Sequence, residues 1–573
     1  MSPEIAASGV LLALEKAART PNFHLLDLND VFGANNWSAV RNLEADVYPL
    51  CEGLDDDIIG ANLTSRFMAS AFQIDAIVSM LSVLSQSANE IQKYFKQPQE
   101  RISTKLSKGI DELPEEIATK IFQFAVWEEG CNGGKQALWL SHTSRKFRSI
   151  ALMSRSLWTT LYSCDSKHQL EAFISRAGPR EEFHAFAHYD TRIHSSSFGI
   201  SGFTNVCQSI APRWRTMTLT QDEKLESSDP WGNHVDGVTV LLGMLSSSFT
   251  ELGLQLPMLE ELDIRGYSEY LHANSEGDNF KWAPNLRTLR CSNVLLAPTA
   301  SLISVSTFDF TQMISGRFRN PLSLLLRFLS GLPNLTTFNL ELYGASEFNS
   351  IWALPATECP SVSSFHLKLR GLEIKGNLQP QKSDLALFMD TLHMPSLDTL
   401  TISLGFAEPG GKILGGAWSW KLGELSAILM PKHLSESSRL TSLSYVLWLD
   451  RKPLFDYEDV VPRDSRAFYV ALDKILNIKK LTISSWIRVQ FVKQAPNLRK
   501  PDFRERCRLR ELKFIGCENM VGADLGWTVS NLVGEFDVWK YIERVTIEDC
   551  KRLAYEEVLW IIGEEKLCYL AST

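Results

Sequence analysis

The sequence predicts an α/β chain in three parts. A mainly helical N-terminal region covers 1–100, a small helical domain covers 101–162, and an irregular repeat solenoid with a parallel sheet covers 163–573. Three observations carry this. Apolar residues recur at helical spacing up to about residue 161, and beyond it eleven segments place apolar residues at n, n+3 and n+5. The positions between them, n+2, n+4 and n+6, are almost all polar.

In the first part, Ile5 to Ala18 reads as a helix, and Pro21 to Gly60 has no firm period. From Phe67 to Phe95 the apolar residues Phe67, Ile74, Ile77, Leu81, Leu84, Ile91 and Phe95 are spaced by threes, fours and sevens, as in an amphipathic helix. Gln97-Pro98-Gln99 marks a boundary.

The second part opens with Leu113-Pro114-Glu115-Glu116-Ile117. Proline suits the first position of a helix, where its missing N–H costs nothing, and two glutamates in the first turn face the positive helix end. Ile117, Ile121 and Phe124 form one stripe; Ala118, Phe122 and Ala125 repeat the spacing one residue on. A short helix with so wide an apolar surface needs a partner as well as a core. Gly130, Gly133 and Gly134 break the chain before a second helix from about Lys135, with Leu140, Ser144, Phe147 and Ala151 along one face. The cluster Leu157, Trp158 and Leu161 follows.

In the third part the segments are Trp214/Met217/Leu219, Leu259/Leu262/Ile264, Leu286/Leu289/Cys291, Val305/Phe308/Phe310, Leu335/Phe338/Leu340, Val362/Phe365/Leu367, Leu397/Leu400/Ile402, Leu440/Leu443/Tyr445, Ile478/Leu481/Ile483, Leu509/Leu512/Phe514 and Ile542/Val545/Ile547. Side chains alternate along a strand, so n+2, n+4 and n+6 mark the opposite face. Among these intervening residues only Val446 and Ile515 are apolar, in a chain that is 45% hydrophobic, so the alternation is not a chance pattern. Helices are expected between strands at Val238–Leu245, Leu322–Leu329, Asp384–Leu392, Leu422–Met430, Arg466–Leu476 and Tyr555–Ile562. Strand, loop, helix, strand in succession gives a parallel sheet with the helices on one side. The stretches 405–421 and 450–464 are expected as surface loops.

Leu113-Pro114-x-Glu116-Ile117, Ser144-Arg-Lys-Phe147-Arg148 and Leu157-Trp158, in that order, resemble the F-box family. The family's usual Cys and Trp are Ser144 and Phe147 here, and a Gly-rich insertion at 128–135 lengthens the turn. Leu509-x-x-Leu512-x-Phe514-x-x-Cys517 and Ile542-x-x-Val545-x-Ile547-x-x-Cys550 resemble the cysteine-containing leucine-rich repeat, with each thiol filling a tight turn after its strand. The resemblance implies a substrate-recognition subunit of a Skp-cullin-F-box ubiquitin ligase: a Skp-type adaptor, and through it a cullin, docks on the F-box. Leu113, Pro114, Ile117, Ile121, Phe147 and Trp158 are the implied adaptor contacts. The repeats' concave face implies a protein-substrate surface, with candidates Glu261, Asp263, Arg265, Asn339, Glu341, His366, Lys368, Lys513, Arg544 and Glu548. The alternative reading is a leucine-rich-repeat interaction scaffold with no ligase role.

Other classes find little support. The net charge of −9 argues against a nucleic-acid partner, because phosphate binding needs a concentrated basic face. The ten cysteines have no Cys-x-x-Cys pair and read as reduced thiols. The start lacks a basic, apolar leader, and the run Leu322 to Leu332 is interrupted by Arg327 and too short to span a bilayer. No membrane association is expected, and the compartment expected is cytoplasm, nucleus or both. His184-x3-His188 lacks further ligands and reads as a solvated or strand-face pair. Gly405 to Ile413 has its lysine one residue late for a phosphate loop. No catalytic residues, metal or cofactor are expected.

Overall fold

The computed structural model describes residues 113–189, 199–221, 237–266, 280–296, 302–313, 321–344, 354–372, 384–406, 422–426, 428–430, 439–449, 467–492 and 505–570, with scattered residues between 75 and 100. The chain divides into two compact units, Met1–Leu113 and Pro114–Thr573. In the first, the residues described between 75 and 96 are helical and exposed. The expected helix Ile5–Ala18 and most of Phe67–Phe95 lie outside the described residues.

The second unit opens with three helices, α1 (Glu115–Glu128), α2 (Gly133–Thr143) and α3 (Arg145–Met153). Pro114 stands just outside α1, where its carbonyl accepts from the Ala118 N–H at 3.1 Å. The single second helix expected from Lys135 is instead split at Ser144. Ser144 takes an extended conformation and its hydroxyl accepts from the Phe147 N–H at 3.1 Å, so it caps α3 and ends α2. The glycines before it are packing residues as well as breakers: Gly133 and Gly134 are buried, and a Cβ on Gly134 would come within 2.6 Å of the Phe173 ring.

From Thr160 the described residues form one 14-stranded sheet, parallel throughout and taking its strands in chain order. Its members are β1 (Thr160–Tyr162), β2 (Phe183–Tyr189), β3 (Trp214–Gln221), β4 (Glu261–Arg265), β5 (Thr288–Ser292), β6 (Thr307–Met313) and β7 (Thr337–Tyr343). After β8 (Thr357–Glu358) come β9 (Ser364–Leu372), then β10 (Leu392–His393), β11 (Thr399–Phe406) and β12 (Ser442–Leu449). After β13 (Ala467–Ala471), β14 (Lys480–Ser485) and β15 (Arg488–Val492) come β16 (Glu511–Ile515), β17 (Arg544–Glu548) and β18 (Leu567–Leu570). The short β8 pairs with β10 and β13 with β15, apart from the main sheet.

The eleven expected strands pair in one register. Met217, Leu262, Leu289, Phe308, Phe338, Phe365, Leu400, Leu443, Leu481, Leu512 and Val545 form a continuous row of partners and are buried. Parallel neighbours stack like side chains, and Phe308, Phe338 and Phe365 lie face to face at 5.9 and 5.1 Å. Three strands add to the series: β1 and β2 at one end, β18 at the other. In β2 the inward positions are Phe183, Ala185 and Ala187, too small a set to stand out as an apolar triplet.

The apolar side of the sheet is covered by α4 (Lys167–Ala177), α5 (Gly199–Cys207), α6 (Gly237–Glu251), α7 (Pro321–Ser330), α8 (Asp384–Thr391), α9 (Gly522–Gly534) and α10 (Tyr555–Ile562), whose buried residues join the same core. Helices expected at 238–245, 322–329 and 555–562 are present, the one expected at 384–392 ends at Thr391 because Leu392 belongs to β10, and 422–426 is helical. The expected helix Arg466–Leu476 is corrected: Ala467–Ala471 is a strand pairing with Arg488–Val492, followed by a short 3-10 turn. The Phe-Tyr-Val run favours a pleated surface, and a partner strand with the alternating Val489 and Phe491 completes it. Apart from Gly405 and Phe406 at the end of β11, the expected loops 405–421 and 450–464 lie outside the described residues.

Candidate functional site

Two surfaces have the make-up of binding sites. The first is on α1. At 100° per residue, Ala118, Phe122 and Val126 fall within about 80° of one another and are buried against α2 and α3. Ile117, Ile121 and Phe124 fall within about 60° of one another on a second face, centred about 130° round the helix, with Trp127 beside them, and are 44, 49, 62 and 72% exposed. The helix is therefore apolar on two faces and buries one. Trp139 on α2 and Leu152 and Met153 on α3 are exposed as well.

The other residues implied for this surface divide. Pro114 is exposed and Leu113 half-buried. Phe147 is half-buried, its ring set edge-on to Phe122 at 4.8 Å. Trp158 is corrected from contact to core: it is 0% exposed. Its indole N–H donates to the Ala151 carbonyl at 2.8 Å, and its ring lies 5.5 Å from Phe173 and beneath the Arg176 guanidinium. The chain turns inward through the 3-10 segment Arg155–Trp158 just before β1, so the side chain is spent on joining α3 to α4.

The second surface is the polar face of the sheet. A recess of about 460 Å³ opens on it across β4, β5, β6, β7 and β9. Six of the ten candidates meet there: Asp263, Arg265, Asn339, Glu341, His366 and Lys368. Glu261 stands at its margin, 2.9 Å from Arg290. Lys513, Arg544 and Glu548 do not join them; they lie on β16 and β17, toward the other end of the sheet, where Arg544 donates to the Cys568 sulfur at 3.1 Å.

The recess is a lattice of compensated charge. Arg290 bridges Glu261 and Asp309 at 2.9 and 3.1 Å, Arg265 meets Asp263 at 2.7 Å, and Glu341 takes Lys368 at 2.8 Å and Arg370 at 3.5 Å. Burial works against the charge of Arg290, but its two carboxylates outweigh that cost and raise its pKa. His366 hydrogen-bonds the Ser403 hydroxyl at 2.8 Å; burial and the nearby Lys368 lower its pKa, so the ring is neutral at pH 7. Burial, then a hydrogen bond and charge from Glu341, raise the pKa of Tyr343. That phenol receives a hydrogen bond from Arg370 at 2.7 Å and lies under the same guanidinium, while Lys368 stands over Trp448 at 5.8 Å.

Arg290, Ser292, Asp309 and Thr311 also line the recess, and sequence reasoning did not single them out. They occupy n+4 and n+6 of two recognised strands, so the alternation already placed them on this face. At the sheet's start His184 and His188 face the same way as a strand-face pair, bonded to Thr216 and Thr220 at 2.8 and 3.1 Å. Cys517 and Cys550 fill buried turns, donating to the Ile483 and Phe514 carbonyls at 3.5 and 3.6 Å. Among the described residues no cluster of three or more His, Cys, Asp or Glu is placed to hold a metal ion, and no helix is long and apolar enough to cross a membrane. No protein-family model and no curated protein matches this chain.

Proposed function

We propose that this chain is the substrate-recognition subunit of a Skp-cullin-F-box ubiquitin ligase. In this reading residues 101–162 are an F-box that docks a Skp-type adaptor, and residues 163–573 are an irregular leucine-rich-repeat solenoid whose polar face binds a protein substrate. The observation that carries the reading is α1, apolar on two faces with Ile117, Ile121 and Phe124 left in solvent. Large exposed apolar groups on one face of a short helix fit a protein partner. The three-part motif around them supports which partner, and the in-register strand series supports a recognition surface beside it.

The chain itself makes and breaks no bond. It raises the local concentration of a substrate near the charged carrier enzyme that the cullin brings. Burying an anchor such as Ile117 or Ile121 contributes roughly 1.5–3 kcal/mol, so losing two abolishes micromolar binding.

The test is co-purification of the full chain with purified Skp-type adaptor and cullin, comparing wild type with Ile117→Ala/Ile121→Ala and Leu113→Ala/Pro114→Ala. The reading expects adaptor and cullin with the wild type and neither with the double variants. It fails if the adaptor never co-purifies or binds all three alike, which leaves the repeat scaffold without a ligase role.

A further inference from the structure

Beyond α1 and the recess, and independent of the ligase reading, we propose that the margin of the sheet where β14, β16 and β17 begin docks a short acidic segment of a partner protein, rich in Asp and Glu. In a chain of net charge −9, the segments 479–480, 505–513 and 543–544 carry seven cations and three carboxylates. The fold draws them together. The Arg510 N–H donates to the Lys479 carbonyl and the Glu543 N–H to the Arg510 carbonyl, each at 2.8 Å, so the residues ahead of the three strands form one row. Lys480, Glu511 and Arg544 are the next row of partners, and Lys513 stands two residues further along β16.

Most of this positive charge is uncompensated. Lys479, Lys480, Arg506, Arg508 and Lys513 form no ion pair with any described residue. Lys480 has Glu511 as its register partner without closing a salt bridge to it, and Lys513 lies between Thr482 and Thr546. Arg510 is held by Glu543 at 3.6 Å and over the Tyr541 ring at 5.6 Å, and Arg544 is turned to the Cys568 sulfur. Like charges side by side on neighbouring strands repel. Lys479, Arg506, Arg508 and Arg544 are exposed, so a ligand carboxylate relieves that repulsion without stripping water from a buried charge.

The surroundings set the length and chemistry of the ligand. On one side the same row continues through Thr441 to Asp398, whose carboxylate accepts from the Thr441 hydroxyl at 2.7 Å. On the other, Glu543 is followed by the exposed Glu564 and Glu565 ahead of β18. Carboxylates therefore bound the patch at both ends, and a long polyanion runs onto them. Arg508 to Lys513 spans roughly 17 Å, which an extended segment of about five or six residues covers. Such a segment can set uncharged residues opposite Glu511 and Glu543, whereas a phosphodiester chain carries a charge at every link. Bases also need an open aromatic face, and the rings here, Tyr541 and Trp539, have Arg510, Lys540 and Lys566 over them at 5.6, 5.0 and 5.2 Å.

Fluorescence polarisation on the full chain tests this with three labelled probes: a ten-residue peptide alternating Asp or Glu with Gly or Ser, the same peptide with Lys at the charged positions, and a ten-nucleotide oligothymidylate. The acidic peptide is expected to bind at least about ten-fold tighter than either other probe, and to weaken as salt rises, because exposed charges are screened. Lys479→Glu/Arg508→Glu alters two exposed side chains and is expected to lose at least about ten-fold of that binding. Lys551→Glu/Arg552→Glu makes the same change of net charge in the exposed turn after β17, beyond the other end of that strand, and is expected to stay within about two-fold of wild type. The proposal is overturned if wild type does not prefer the acidic peptide, if the oligonucleotide binds as tightly, if the first double variant binds as wild type does, or if the two double variants weaken binding alike. None of these outcomes touches adaptor co-purification, so failure here is distinct from failure of the ligase reading.

Discussion

The exposed face of α1 and the recess on the sheet are opposites in chemistry. The first presents Ile117, Ile121, Phe124 and Trp127 and asks a partner for little but apolar area. The second presents ion pairs already made within the chain, so a ligand gains only what it returns in matched charge. An apolar face yields affinity with modest discrimination and suits one constant partner. A compensated polar face yields discrimination with modest affinity and suits a partner that must be chosen. The contrast is the physical content of the proposal that one surface couples and the other selects.

The largest expected effect breaks both surfaces together. Trp158 ties α3 to α4 in the core, and Trp158→Ala is expected to cost about 3–5 kcal/mol, read as a lower denaturant midpoint with adaptor binding and protein capture weakened in parallel. Arg488→Ala is the control for destabilisation alone. Arg488 pairs with the buried carboxylate of Asp524 on α9, remote in sequence from either surface, and stranding that carboxylate is expected to cost about 3 kcal/mol. Below its new melting point both binding activities are expected to persist.

Ile121→Asp sharpens the comparison instead. A charge on the open face of α1 is expected to weaken adaptor binding by about 2 kcal/mol, some thirty-fold in calorimetry, with the melting point within about a degree of wild type.

The smallest effect is at Asp165, in the turn after β1. Burial raises its pKa to about 6, against the opposing influence of Lys135 and of hydrogen bonds. The folded state then holds a proton that the unfolded chain has released, so stability falls as pH rises from about 4 to about 6 and the cost stays in place above that. Asp165→Asn is expected to stabilise the chain by about 1 kcal/mol at pH 7.5 and to leave it unchanged at pH 4.

Much of this was legible in the sequence, for identifiable reasons. Alternation is a direct imprint of the pleat, and a partnered strand every few dozen residues repeats it, so eleven strands and their polar face could be read without coordinates. The imprint fades where small residues point inward, as in Ala185 and Ala187 of β2, and where a strand lies outside the series, as in Ala467–Ala471. Apolar spacing gave α1 two faces but could not say which is buried. It also ran through Ser144, whose capping role depends on a backbone turn that periodicity does not register. Trp158 shows the same limit, because a motif names a residue without saying which way it points. In the recess, the pattern placed Arg290 and Asp309 on the right face. Their importance comes from bridging three strands whose neighbourhood only the register reveals.

The most direct test of the central claim, that the two surfaces are separate and differ in kind, is a crossed binding measurement. Adaptor affinity and the set of proteins captured from lysate are measured on wild type, Ile121→Asp and Thr311→Trp. The account predicts that Ile121→Asp loses only the adaptor and Thr311→Trp only the captured proteins, each leaving the other binding within two-fold of wild type. A variant that loses both ligands while retaining the wild-type melting point, or one that loses neither, would contradict it.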